Sequence, residues 1–472
     1  MSRPDQRARM KRMQADMRDE QLSFACVASR AQRARAARHD HRDDRTLGLS
    51  ERRNLHASTF FLAVRREHAA RECRHRGGQG MVEVAAPRGM GAARRGIGTG
   101  VVAVALKTTG RAATQVHALA VRDTAADGHE RATHDWVAQR VARLLGLPYA
   151  GPADDAAHVA NGTYFVPDDT LDIATASQRG ITARGELLGG VVPHAFLATK
   201  VVAHTLVDAS AAAIPGWNAE LARALAAHAL PGYTAFSPAD ARRAYELLAR
   251  DGAVRLKLPT GIGGRGQWLL ADDAMLDILL AELPESYIAC HGVVLEMHLV
   301  RLITFSVGEV EFGGQSIAYH GTQSTTRARD GHEVYGGSDL QVVRGTLETL
   351  LDTPLPALQR QAVEAAHAFD RTLRAAWPGL HLSRRNYDVA CGEDAQGRPR
   401  CGVLEQSWRV GGATPAELAA MAAFIDDPAR ACLRAATHER HGQPAPPGVE
   451  VYYDADDPQL GPLVKYVTVS DV

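Results

Sequence analysis

The chain has 472 residues, enough for two or three domains with cores of their own. Hydrophobic residues make up 45% and charged residues 23%, which is ordinary for a soluble protein. No stretch approaches the ~20 apolar residues of a membrane span, so no membrane role is expected.

The formal net charge of zero is unevenly spread. Residues 1–100 hold 22 Lys+Arg against 11 Asp+Glu, so the remainder is acidic by the same margin. Only five lysines occur: Lys11, Lys107, Lys200, Lys257 and Lys465. Where arginine fills nearly every other cationic position, a surviving lysine marks a place where a compact ammonium is wanted. The six cysteines have no CxxC or His-rich spacing, so neither a zinc site nor a disulfide framework is expected. With no hydrophobic signal core at the start, a cytoplasmic protein in a reducing compartment is expected.

Residues 1–97 are Arg- and Ala-rich with no sustained period, and read as a disordered segment or an extension from an early start. Their excess charge also allows a nucleic-acid-binding arm, but Asp40, Asp43 and Asp44 and the lack of interleaved aromatics argue against it. Residues 101–190 alternate short apolar runs with one amphipathic helix, as a small α/β domain would. VVAVAL and VHALAVR read as buried strands, and Thr163 to Val166 as another. The helix runs from His129 to Leu145, with Gly146 at its C′ position and Pro148 beyond. Further on, Ser237 as N-cap and Pro238 at N1 start a helix that Gly252 ends.

The stretch AVRLKLPTGIGGRGQWLL reads as strand, glycine turn, strand. Lys257 lies at the end of the first strand, just before Gly261, Gly263, Gly264 and Gly266. Glycines let backbone N–H groups converge on a phosphate; the same run is also compatible with a purely structural hairpin. The turn does not open into a helix, which excludes the dinucleotide-binding and P-loop readings. A helix from Asp272 to Leu283 and a strand or linker, Val293 to Leu299, follow. A polar loop is expected from Gly321 to Asp339, then a helix from Pro356 to Trp377. Asp388 and Glu405 fall on two adjacent strands of a hairpin, where their carboxylates can face each other and hold Mg²⁺ together with nucleotide phosphates. Arg409 follows, placed to hold a carboxylate or an acyl phosphate. Residues 429–472 read as a proline-rich, then acidic, tail.

Taken in order, residues 190–425 resemble the ATP-grasp superfamily, in its biotin carboxylase-like and D-alanine–D-alanine ligase-like branches. Lys200, in FLATK, resembles the first ATP lysine, Lys257 the second, and residues 259–266 the flexible phosphate loop. VVLEMHL, residues 293–299, resembles the hinge that receives adenine through the main chain of Glu296 and Leu299. NYDVA and VLEQSWRVGG resemble the metal-binding strands, giving Asp388 and Glu405, with Arg409 in the place of a catalytic arginine. The family usually has asparagine where Ser407 stands; serine offers Mg²⁺ a weaker oxygen donor. GGVVPHAF and YGGSDL resemble an uncharacterised bacterial branch.

The resemblance implies an α/β (α+β) protein with an ATP-grasp domain over 191–428 behind the small 101–190 domain. It also implies ATP and Mg²⁺ as cofactors and a ligase that joins a small-molecule carboxylate to an amine or similar nucleophile through an acyl phosphate. Ser407 leaves open a non-catalytic ATP-binding protein, and the basic first segment leaves nucleic-acid binding as a third reading.

Overall fold

The computed structural model describes residues 113–122, 128–153, 162–261, 266–327, 333–458 and 460–472. The expected basic segment 1–97, the VVAVAL strand, and Gly263 and Gly264 lie outside the described residues. Residues 269–288 belong to a unit apart from 97–268 and 289–472. Within it the Asp272 side chain caps the helix Asp273–Glu282, accepting from Met275 N–H at 2.8 Å.

In the larger unit, Gln115–Leu119 lies between Tyr149–Ala153 and Thr163–Pro167 in a parallel three-stranded sheet. The helix His129–Leu145 lays Val137, Ala138, Val141 and Ala142 in one core with Val116 and Ala118. Gly146 stops it at φ 65°, and Leu147 N–H reaches back to Ala142 O at 2.9 Å. Pro238–Leu248 begins as expected, with the Ser237 side chain accepting from Asp240 N–H at 3.1 Å.

A smaller sheet of this unit places Val293–Met297 between Gly232–Ala235 and Val254–Lys257, antiparallel to both. The largest sheet has eight strands, every neighbouring pair antiparallel. Its order is Pro399–Ser407, Arg384–Glu393, Val300–Phe312, Gln315–Arg327, Glu333–Arg344, Cys432–His441, Gly461–Ser470, Glu450–Asp457. Strand alternation divides its side chains between two cores. Phe305, Val307, Tyr387, Val389 and Val403 pack with helix Ala357–Ala376 through Ala362, Val363, Ala366 and Phe369. Val310, Tyr319, Leu340 and Leu433 pack with helix Thr414–Asp426 through Ala416, Leu418 and Met421.

Three expectations are corrected. Within the stretch 321–339 the described residues 321–327 and 333–339 are not loop: they lie in the paired strands Gln315–Arg327 and Glu333–Arg344. Its glycines sit where backbones crowd. A Cβ on Gly321 would meet Asp339 O at 2.1 Å, and one on Gly337, at φ 141°, would meet Thr437 O at 2.0 Å. Residues 429–472 are not a tail but three strands of the large sheet, whose polar side chains alternate with buried Leu433, Ala435, Leu463 and Val467. Finally, Cys391 and Cys401 are register partners on adjacent strands and form a disulfide, which the spacing alone did not disclose.

A chain ended at Pro428 would lose Leu433 and Ala435 from the core and expose Glu333–Arg344 as an open edge. It is expected to lose its cooperative thermal transition and to scatter light on heating. A melting temperature unchanged by the cut would restore the tail.

Candidate active site

The hairpin Arg384–Glu393/Pro399–Ser407 carries the carboxylates. From Val389↔Val403 outward its register is regular, but the next pair is Asp388↔Glu405, so Leu404 is an extra residue in a β-bulge. In regular alternation Glu405 would oppose Tyr387 and turn into the core behind the sheet. The bulge instead puts it opposite Asp388, on the other face. Leu404 packs on an apolar patch formed by Leu230, Met297, Leu299 and Ala390.

Two carboxylates so placed repel each other. Burial, then the Glu405 charge, pushes the Asp388 carboxyl up to about 7, against the pull of Lys200, Gln323 and Arg409. Gln323 Nε2 donates to Asp388 Oδ1 at 2.7 Å. Lys200, almost fully buried at the start of the short 3₁₀ turn Lys200–Ala203, pairs its ammonium with Glu405. The same Nζ donates to Gly261 O at 2.6 Å. Lys200 therefore ties the glycine turn to the carboxylate strand. Gln406 reinforces that link by donating to Thr199 O at 2.9 Å. Across the turn, Leu258 N–H donates to Gly266 O at 2.8 Å, and Gly266 takes φ 71°.

Lys257 and Glu296 form a second cluster. Both are buried and paired with each other, and Glu296 Oε2 lies 3.3 Å from Nε2 of fully buried His204. Burial would raise the Glu296 carboxyl; Lys257 and then His204 overcome this and hold it at about 2. The expectation for Glu296 was a main-chain contact with a base. Its main chain lies mid-sheet between Gly232 and Arg255, and its side chain pairs with Lys257. Leu299 is buried in the apolar patch under Leu404.

Ser407 lies opposite Asn386. Asn386 Nδ2 donates to Ser306 Oγ at 2.7 Å and to Tyr319 OH at 3.0 Å, while Tyr319 gives its own proton to Glu417 at 2.6 Å. Arg384 grips Glu417 through two bonds of 2.7 and 2.8 Å and also donates to the carbonyls of Ser407 and Arg409. The turn that presents Arg409 is thereby fixed. Arg409 donates to Val410 O at 2.9 Å and makes no ion pair among the described residues.

Gln323, His204, Asn386, Gln406 and Arg384 were not singled out from sequence. Each acts through a partner far along the chain, and no local pattern marks it. Among the described residues no group of three or more His, Cys, Asp or Glu converges as a metal cage. A carboxylate pair with serine and amide oxygens nearby fits an ion that keeps water and phosphate ligands, as Mg²⁺ does.

A family model described as "Protein of unknown function (DUF3182)" matches residues 117–467. The chain belongs to that family. No curated protein matches this DUF3182 chain. Solved structures with distant similarity include the following three. One is phosphoribosylamine–glycine ligase of Thermotoga maritima, at 14% identity and TM-score 0.44, covering 76% of this chain and 93% of that one. Another is the biotin carboxylase domain of Hydrogenobacter thermophilus 2-oxoglutarate carboxylase with MgADP and bicarbonate, at 13% and 0.44, covering 76% and 86%. The third is N5-carboxyaminoimidazole synthetase of Staphylococcus aureus, at 11% and 0.43, covering 78% and 96%. In the DUF3182 chain a lysine-bearing sheet with a glycine turn precedes a larger antiparallel sheet carrying paired carboxylates.

Replacing Glu296 by Gln leaves the Lys257 ammonium buried without a counter-charge, which costs about 3–5 kcal/mol. The variant should melt well below the parent at neutral pH. Because the Glu296 carboxyl is depressed, its contribution is present above about 4.5 and fades as pH falls toward about 2. Melting curves against pH should therefore converge on the acid side; curves that stay parallel would refute the assignment.

Proposed function

We propose that this protein is an ATP-dependent ligase of the ATP-grasp type that activates a small-molecule carboxylate for attack by an amine or similar nucleophile. The observation that carries the reading is the Asp388–Glu405 register pair, tied by Lys200 to the carbonyl of Gly261 in the glycine turn. Bound ATP would supply the phosphoryl group that turns the substrate carboxylate into an acyl phosphate. Asp388 and Glu405 would hold Mg²⁺, with Ser407 adding a weaker oxygen. Asn386, the register partner of Ser407, would offer an amide oxygen in place of the asparagine that Ser407 replaces.

Lys200 and Lys257 would hold phosphates, each exchanging a carboxylate partner for a phosphate oxygen as the nucleotide enters. Gly261 and Gly266, with Gly263 and Gly264 between them, would supply main-chain N–H groups. Leu299 and the patch around it would give the base an apolar surface beside the Glu296 strand. Arg409 would orient the substrate carboxylate and stabilise the acyl phosphate by bidentate contact. The soluble reaction partners implied are a small carboxylic acid and a nucleophile.

Ser407 also favours a second reading, a nucleotide-binding protein without turnover. The two part on ADP release, which only the ligase shows with an acid–amine pair.

Calorimetric titration of the full chain with Mg·ATP tests the site. Binding is expected in the parent and at least about tenfold weaker in Lys257→Ala, in line with loss of one charged hydrogen bond. Lys200→Ala should weaken it similarly while keeping a folded melt. Glu405→Ala should remove the gain in affinity that Mg²⁺ confers. Parent protein that melts cooperatively yet fails to bind Mg·ATP would end the proposal.

A further inference from the structure

A second bulge lies in the strand Glu333–Arg344, within the YGGSDL stretch. Gln323 pairs with Ser338 and Ser324 with Gly337, but Thr325 pairs with Tyr335, so Gly336 is an extra residue. Tyr335 and Ser338 are three apart, and regular alternation would put them on opposite faces. The bulge puts them on one face, with Tyr335 OH 2.6 Å from Ser338 Oγ. Only glycine fits the extra position, since a Cβ there would lie 2.8 Å from the Thr325 carbonyl carbon. Thr437 joins from the neighbouring strand. Its Oγ1 accepts from Ser338 N–H at 3.0 Å and lies 3.1 Å from Tyr335 OH.

These three hydroxyls border the candidate active site on two sides. Ser338 is the register partner of Gln323, whose amide nitrogen donates to Asp388. Tyr335 lies over Gly412, where a Cβ would be 2.7 Å from its OH. A Cβ on the preceding Gly411 would be 3.9 Å from Arg409 Nη1. Tyr335 OH and that nitrogen are therefore at most about 13 Å apart, a span that one small molecule can bridge.

Hydrogen-bond capacity says what the place would take. Three hydroxyls carry three protons, and the two contacts among them use two, so one O–H remains to donate. Gln323 gives its NH₂ to a carboxylate, which leaves Oε1 to accept. This donor and this acceptor stand on facing strands, with the Cβ atoms of Gln323 and Ser338 about 5 Å apart. Nearby charges are matched: Glu439, two residues past Thr437, with Lys465 at 2.8 Å, Asp339 with Arg434, and Glu417 with Arg384. A neutral donor beside a neutral acceptor fits a ligand hydroxyl, which both accepts and donates.

We propose that Gln323, Tyr335, Ser338 and Thr437 form a hydroxyl-binding subsite, and that the acid activated at Asp388–Glu405 is a hydroxy acid whose carboxylate meets Arg409. This rests on the ligase reading above.

The probes are matched acids, glycerate with propanoate and gluconate with hexanoate. Each is titrated calorimetrically into the full chain, with and without the Mg²⁺ complex of the β,γ-imido analogue of ATP, which is also titrated alone. In the parent, the hydroxylated member of at least one pair should bind at least about tenfold more tightly than its plain partner. Tyr335→Phe, which keeps the ring over Gly412, should bring the two within about twofold while its melt stays cooperative. Ser338→Ala should do the same, and decides the matter if Tyr335→Phe does not fold. Equal affinity for both members in the parent, or a preference that the folded variants keep, overturns the subsite. So does a failure to bind any of the acids. Succinamate binding more tightly than either hydroxy acid, and through Tyr335, overturns the hydroxy acid in favour of an amide. If the Tyr335-dependent preference is present but the Mg-nucleotide does not bind, the subsite stands and the ligase reading falls.

Discussion

The site depends on one irregularity, the extra residue Leu404 in the hairpin that carries Asp388 and Glu405. Strands sort side chains by parity, and parity sends Tyr387, Val389 and Val403 into the core behind the sheet. Without the bulge Glu405 would follow them, as a charge among Phe369 and Leu373. With it, both carboxylates share a face, and burial and then the Glu405 charge raise the proton affinity of Asp388, which a nearby cation opposes. Lys200 does so here. Everything else converges on that pair: Gln323 on Asp388, Gln406 on the turn before Lys200, and Arg384 on the carbonyls that follow Glu405.

The two lysines do different things. Lys200 bridges elements, so its ammonium couples the glycine turn to the carboxylate strand. Lys257 stays within the smaller sheet, locked to Glu296 on the neighbouring strand with His204 behind. A buried ammonium with a single counter-charge is held in one orientation, and that orientation is set before any ligand arrives.

Much of the fold was legible where local rules act alone. The helix His129–Leu145 has an apolar stripe and a glycine stop, and Ser237–Pro238 is a start signal that needs no tertiary help. Asp388 and Glu405 were legible because two short apolar runs around a turn make a hairpin. The bulge was not, since one extra residue is invisible to a count of alternation. Residues 321–339 looked like a loop because their glycines answer to neighbouring strands, and 432–470 looked like a tail because polar residues fill alternate positions. The Lys257–Glu296 and Cys391–Cys401 pairs needed the register, which the one-dimensional pattern leaves free.

The strand order also has a kinetic side. Gly461–Ser470 is inserted between Cys432–His441 and Glu450–Asp457, and Val300–Phe312 must wait for Arg384–Glu393 before its second edge is covered. During synthesis the central strands therefore emerge with open edges long before their partners exist. Pairings so distant in sequence close slowly. The carboxylate hairpin belongs to this late-forming sheet, so the Asp388–Glu405 pair should assemble only near the end of folding, and nascent chains paused before residue 470 would be clients for chaperones.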